Sequence, residues 1–214
     1  MKEPFVITIS REVGSGGRTV GRKLAQELGV RYSDKELIDA LKAKFNLTVN
    51  AIEKLKGEKK NWLSDFIHLV APVPKSELLI IGGDGKYVQE FRPEVTVNDV
   101  YLAEKEILQG IADEGSCVIA GRSGFFVLKD HPNKVDVFIT ASREHRIARV
   151  MRKQNLNREQ AEAVVDSLDE ARDNYVKRYT GTTRYDLRNY DMVLNMDDLS
   201  EDQAVSLILS FIGK

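Results

Sequence analysis

Three glycines within four residues, Gly14, Gly16 and Gly17, lead directly into Arg18 and Thr19, and this cluster has the residue types and spacing of a phosphate cradle. Closely spaced glycines let successive backbone N–H groups converge on an anion, and a helix starting near Arg18 adds its positive N-terminal end. The standard phosphate-loop pattern is Gly-x-x-x-x-Gly-Lys-Ser/Thr. Aligned on Gly17-Arg18-Thr19, it puts Glu12 at the first glycine and Arg18 at the lysine. Arg18 keeps the positive charge, although a planar guanidinium fork contacts phosphate differently from a point ammonium. Thr19 keeps the hydroxyl that would bind Mg2+. A glycine-rich turn without a ligand is the competing reading. Context favours the cradle: the cluster follows an apolar strand, Phe5 to Ile9, and precedes an amphipathic helix with Val20, Leu24, Ala25 and Leu28, closed by Gly29.

Further cations follow in the second half. Arg122 comes directly after the apolar run Cys117 to Ala120, with Gly121 and Gly124 allowing close backbone approach. Its expected partner is a substrate phosphate, the alternative being an ion pair with Asp99 or Glu104. Arg143, Arg146, Arg149 and Arg152 recur every third residue on one helical stretch, with Glu144 as the only acid nearby in sequence. Either an anion gathers Arg146, Arg149 or Arg152, or the row is a solvated face screened by salt. Arg172 and Arg178, near the end of the next helix, are the candidates to clamp a phosphate during transfer.

These residues need a scaffold. Strand patterns lie at Phe5 to Ile9, Ser116 to Ala120, Val135 to Thr140 and Met192 to Asn195. Helical patterns run over Thr19 to Leu28, Lys35 to Lys44, Val97 to Glu114, Arg143 to Gln154, Arg158 to Tyr179 and Glu201 to Ile212. Strands separated by helices predict an α/β fold with a parallel sheet, binding its ligand at the carboxyl ends of the strands. The pattern changes between about 48 and 93, where a lysine-rich segment, an apolar helix candidate and a hairpin around Gly82-Gly-Asp-Gly85 suggest an inserted region. Asp34 is placed to cap a helix beginning at Lys35. Tyr32, Tyr175 and Tyr179 are placed either to stack on a base or to pack.

Composition bounds the rest. A chain of 214 residues with 42% hydrophobic and 30% charged residues suits one α/β domain with a small insertion. A net charge of −1 gives no global attraction to nucleic acid or to anionic membrane. The single cysteine, Cys117, lies in an apolar run and reads as a buried structural thiol. With no apolar leader and no membrane-length window, the expected location is cytoplasmic. Oligomeric state is not legible.

In order along nearly the whole chain, these segments resemble the cytidylate-kinase-like family of P-loop nucleoside monophosphate kinase folds. The matching stretches are Ser10 to Arg18, Leu28 to Ile38, Gly115 to Arg122, Val137 to Ala141, and Arg172 to Gly181 leading to Asn189 to Asn195. The resemblance implies a single kinase-like domain, with core 1–47, 94–157 and 186–214, an acceptor-binding insertion 48–93 and a lid region 158–185. It implies ATP-dependent phosphoryl transfer to a nucleoside monophosphate or related small phosphorylated acceptor, with Mg2+ bridging the donor phosphates. In that scheme Gly14, Ser15, Gly16, Gly17, Arg18 and Thr19 hold the donor and Thr19 helps bind the metal. Arg122 holds the acceptor phosphate, while Arg149, Arg172 and Arg178 close over the transferring group. The chain departs from better understood cytidylate kinases at Ala120-Gly-Arg122-Ser123, where those enzymes carry Asp-Gly-Arg-Asp, and at Val176, which stands near their lid aspartate. A nucleotide-binding regulatory or scaffold protein on the same fold is therefore the second reading.

Overall fold

The computed structural model describes residues 4–34, 97–121 and 123–214. The helix expected at Lys35 to Lys44, the insertion and Arg122 lie outside the described residues. The sheet consists of β1 (Val6–Arg11), β2 (Arg31–Ser33), β3 (Cys117–Ala120), β4 (Lys134–Thr140) and β5 (Met192–Asn195), in the spatial order β2-β3-β1-β4-β5. All four pairings are parallel, as the alternation of strands and helices predicts. The helices are α1 (Gly17–Leu28), α2 (Val97–Asp113), the short α3 (Gly124–Val127), α4 (Arg143–Gln154), α5 (Arg158–Thr180) and α6 (Glu201–Phe211).

Period-two alternation along β1 decides what covers each face of the sheet. Ile7 and Ile9 join Val118, Val137, Ile139 and Leu194 beneath α1 and α6, where Val20, Leu24, Ala204, Val205 and Ile208 complete the cluster. Val6, Cys117 and Ile119 face the other way, onto Val100, Leu108 and Ile111 of α2 and Leu128 just past α3. Cys117 is a buried free thiol, as expected.

β1 is central, hydrogen-bonded to β3 on one side and β4 on the other. It therefore runs two residues beyond the expected end: Ser10 and Arg11 pair with Phe138 and Ile139. That extension places Arg11 inside the strand, at the mouth of the glycine turn. β2 was not anticipated. At three residues it is too short for a periodic signal, and it forms because β3 offers it a free edge, with Arg31 opposite Cys117.

α4 and α5 make an antiparallel hairpin with a core of its own, in which Ile147 and Val150 meet Ala161, Val164 and Val165, and Val13 of the glycine turn packs among them. The link is fixed by Asn155 in the left-handed conformation (φ 54°) and by a reciprocal capping box between Asn157 and Gln160. Ser200 and Gln203 make the same box at the start of α6. No helix among the described residues is long and apolar enough to cross a membrane.

Leu24 is fully buried between α1 and the sheet. Leu24→Ala is expected to lower unfolding stability by about 3 kcal/mol, as large-to-small core changes do. Urea denaturation followed by circular dichroism checks this.

Candidate active site

At the carboxyl edge of the sheet the chain leaves β1, turns through Gly14 (φ 82°) and Gly16 (φ 89°), and enters α1 at Gly17. Both turn residues are left-handed, the region glycine adopts without strain. A Cβ on Gly14 would lie 2.4 Å from the carbonyl oxygen of Arg146, and one on Gly17 would lie 2.6 Å from Cβ of Arg11. The buried Ser15 spends both its donors inside the turn, its amide (3.3 Å) and hydroxyl (2.9 Å) reaching the carbonyl of Glu12. Among the described residues the N–H groups of Gly14, Gly16, Gly17 and Arg18 donate to no protein acceptor. The turn is thus a nest of free donors at a helix N-terminus, the arrangement that binds an anion.

Arg18 does not lean over this nest. Its Nε lies 2.6 Å from Oδ2 of Asp34, and Nη2 of Arg11 lies 3.4 Å from Oδ1 of the same carboxylate. Asp34 is buried just beyond the end of β2, and its carboxylate serves these two arginines. Lys35, where the capped helix was expected to start, lies outside the described residues. The hydroxyl of Tyr32 donates to the carbonyl of Arg18 at 3.2 Å. Burial, with the Asp34 charge added, pushes the Tyr32 phenol up to about 12.

Arg149, from α4, lies against the start of α1 instead. Nη2 lies 3.4 Å from Oγ1 of Thr19 and 2.8 Å from Oε1 of Glu201, and the guanidinium carbon is 3.4 Å from the point where a Cβ on Gly16 would stand. Burial pushes the Glu201 carboxyl up, but hydrogen bonds from Arg149 and its own backbone prevail and hold it below the usual range. The other arginines of the row have separate tasks. Arg143 pairs with Asp166 at 2.8 Å, and Arg152 is exposed. Arg146, only 11% exposed, lies beneath the turn with Nη1 2.6 Å from Asp169 and Nη2 3.5 Å from Glu12. An anion is therefore not needed to explain the row, because acids remote in sequence relieve its repulsion.

Sequence reasoning missed three residues that organise this edge. Asp169, 6% exposed, accepts the N–H of Val13 on both oxygens (3.0 and 3.2 Å) and faces Arg146, Arg172 (3.6 Å) and Arg184 (3.8 Å). Asp173 accepts the Thr183 hydroxyl (2.6 Å) and the Arg184 N–H (3.0 Å), with Lys177 at 2.7 Å. Arg184, 4% exposed, donates to the carbonyl of Arg11 and lies over the rings of Phe138 and Tyr185. A signal did exist for the acids. Continuing the buried stripe of Ala161 and Val165 by steps of four lands on 169 and 173, where an apolar residue belongs and aspartate stands.

Arg172 is brought to the turn through Asp169. Arg178 is exposed, its guanidinium 5.7 Å from the ring centre of Tyr179, and among the described residues it has no ion pair or hydrogen bond with the turn. Tyr179 stacks on Tyr101 at 4.0 Å, and the hydroxyl of Tyr175 donates to buried Glu104. Two of the tyrosines considered for base stacking are thus engaged in joining α2 to α5.

A five-stranded parallel sheet carrying a glycine nest between its first strand and first helix is the fold of the P-loop kinases. The profile of the cytidylate kinase-like family matches residues 6–198, and the chain belongs to that family. It is 26% identical over 209 residues to the cytidylate kinase of Sulfurisphaera tokodaii, covering 98% of this chain and 96% of that one. An uncharacterized protein from Eubacterium ventriosum superposes with a TM-score of 0.67 at 21% identity, over 98% of this chain and 99% of that one. The shikimate kinase of Bacteroides thetaiotaomicron superposes with a TM-score of 0.55 at 13% identity over 100% of both chains. A gluconokinase from Sinorhizobium meliloti gives 0.51 at 12% identity, over 98% of this chain and 92% of that one.

Gly14→Ala forces a side chain at positive φ against the Arg146 backbone and is expected to destabilise the fold by about 2 kcal/mol or more, readable as a lowered melting temperature. Asp173 gives a pH signature. Burial pushes its carboxyl up, yet hydrogen bonds from Lys177, Thr183 and the Arg184 N–H prevail and depress it below the ordinary 3.8. Its contribution is full above that value and is lost as pH falls through the depressed one. Asp173→Asn should therefore lower the melting temperature at pH 7 and narrow the gap to wild type as the pH drops below about 4.

Proposed function

We propose that this protein is an ATP-dependent phosphotransferase whose acceptor is a nucleoside monophosphate, cytidylate-like, or a closely related small phosphorylated compound, and that it works in the cytoplasm. The observation that carries the reading is the set of unpaired N–H groups at the start of α1, with Arg149 lying against Gly16 and Thr19. Family membership and the relative named cytidylate kinase support it.

In this reading Gly14, Ser15, Gly16 and Gly17 shape the cradle for the β- and γ-phosphates of ATP. The free N–H groups are fixed before the ligand arrives, so charge moving among phosphate oxygens meets donors that need no reorganisation. Arg149 has Thr19 and Glu201 as its ligand-free partners and turns its guanidinium onto the transferring group when an anion outcompetes them. The hydroxyl of Thr19, in the first turn of α1, would help hold Mg2+, which would supply positive charge to neutralise the donor phosphates. The acceptor lies toward Asp34, where Arg11 and Arg18 supply positive charge, and Arg122 holds its phosphate. Arg172 and Arg178 approach from α5, within a lid region 158–185, and 48–93 contributes to acceptor binding.

The second reading, a nucleotide-binding regulatory protein, draws on one observation: Arg18, at the lysine position of the pattern, is paired with Asp34. Titration calorimetry with ATP and each nucleoside monophosphate, with and without Mg2+, followed by turnover assays on whichever monophosphate binds, separates the two. Mg2+-dependent ATP binding and multiple turnovers are expected. Nucleotide binding with no turnover on any monophosphate would leave the regulatory reading. Arg149→Ala should lower kcat by about 10²-fold, the scale for removing one charge-stabilising group from a closed site.

A further inference from the structure

We infer that Asp169 is a positioning residue that joins the donor-phosphate turn to the arginine-bearing half of α5, so that the cradle and Arg172 are set by one carboxylate. For Arg172 this rests on the phosphotransfer reading. Asp169 is 6% exposed, and both its oxygens take the N–H of Val13, the residue immediately before Gly14. The same carboxylate holds Nη1 of Arg146 at 2.6 Å, and Arg146 in turn donates to the carbonyls of Ala141 (3.2 Å) and Val13 (3.4 Å). The entrance of the turn is therefore gripped twice, once from α4 and once from α5. Gly14 cannot be displaced toward α4, because it already lies against the Arg146 backbone.

One turn further along α5, Arg172 lies 3.6 Å from the same carboxylate, and its side chain is 32% exposed. Arg184 closes the ring at 3.8 Å. Burying a carboxylate is costly unless charge and hydrogen bonds compensate it, and here a backbone N–H and three guanidiniums do so. Helix packing alone would be served as well by an apolar residue at this point of the Ala161–Val165–Val176 stripe. What a carboxylate adds is a fixed direction for Val13 N–H and for Arg172.

Asp169→Asn separates these tasks, since an amide oxygen still accepts the Val13 N–H while the charge that holds the guanidiniums is gone. The expected result is a kcat lowered about 10- to 100-fold with KM for ATP within about threefold of wild type. Arg172→Ala and Asp169→Asn together should cost less than the product of the two single losses, because the Asp169–Arg172 contact is counted in both. An unchanged kcat, or losses that multiply in the double variant, would overturn the inference. If Asp169→Asn does not fold, Asp169→Glu serves, since it keeps the charge but shifts it by a methylene. A kcat about tenfold down supports the assignment and a wild-type kcat removes it. Hydrogen exchange of 15N-labelled arginine side chains in the ligand-free protein keeps this test apart from the reaction itself. Faster exchange at Arg146 and Arg172 in Asp169→Asn supports positioning even if the wild-type protein transfers phosphate to no acceptor; unchanged exchange removes it.

Discussion

A turn that binds anions through its backbone must keep its N–H groups unpaired, and so has to be held in place by everything except those groups. Much of the structure around Gly14 to Arg18 answers that constraint. Ser15 folds its own donors back onto Glu12, Arg146 presses its backbone against Gly14, and Asp169 takes the one amide, Val13, that precedes the nest. The sheet contributes the fixed end. β1 is hydrogen-bonded on both sides, so the strand that delivers the chain to the turn cannot shift in register without breaking two ladders.

The same edge gathers cations from several elements. Arg11, Arg18, Arg146, Arg149, Arg172 and Arg184 meet Asp34, Glu12, Glu201 and Asp169, leaving these groups with more guanidiniums than carboxylates. The most buried pairs, through Arg146 and Arg184, are the ones whose breakage would strand a charge away from water, and they act as framework. The more exposed ones, through Arg18, Arg149 and Arg172, are weaker because water screens them and side-chain entropy opposes them. Burial thus sorts arginines of equal charge into a buried framework and a more exposed, more weakly held set.

The fold was largely legible in the sequence because its core strands are short apolar runs and its helices carry clear periodicity and caps. Arg143 to Gln154 begins and ends where the pattern says. β2 was illegible because three residues carry no period, and its pairing is decided by the open edge of β3. The site was legible at its glycines, whose types are dictated by φ and close contact. It was less so at its arginines, since a sequence gives a cation's position on its helix but not the acid it meets. Arg146 and Arg149 look alike in the row, yet one reaches Asp169 and the other Glu201, partners supplied by different helices.

The placement of β1 also governs how the chain emerges during synthesis. Its two partners begin at Cys117 and Lys134, more than a hundred residues downstream of Val6. At a translation rate of about 5–20 residues per second, the nascent strand spends several seconds or more outside the ribosome before either partner exists. Throughout that interval Phe5, Ile7 and Ile9, nearly or fully sealed in the finished protein, lack the sheet that will cover them. The centre of the sheet is made first and must wait for both its neighbours, so the newborn chain presents a sticky early segment of the kind that molecular chaperones shield.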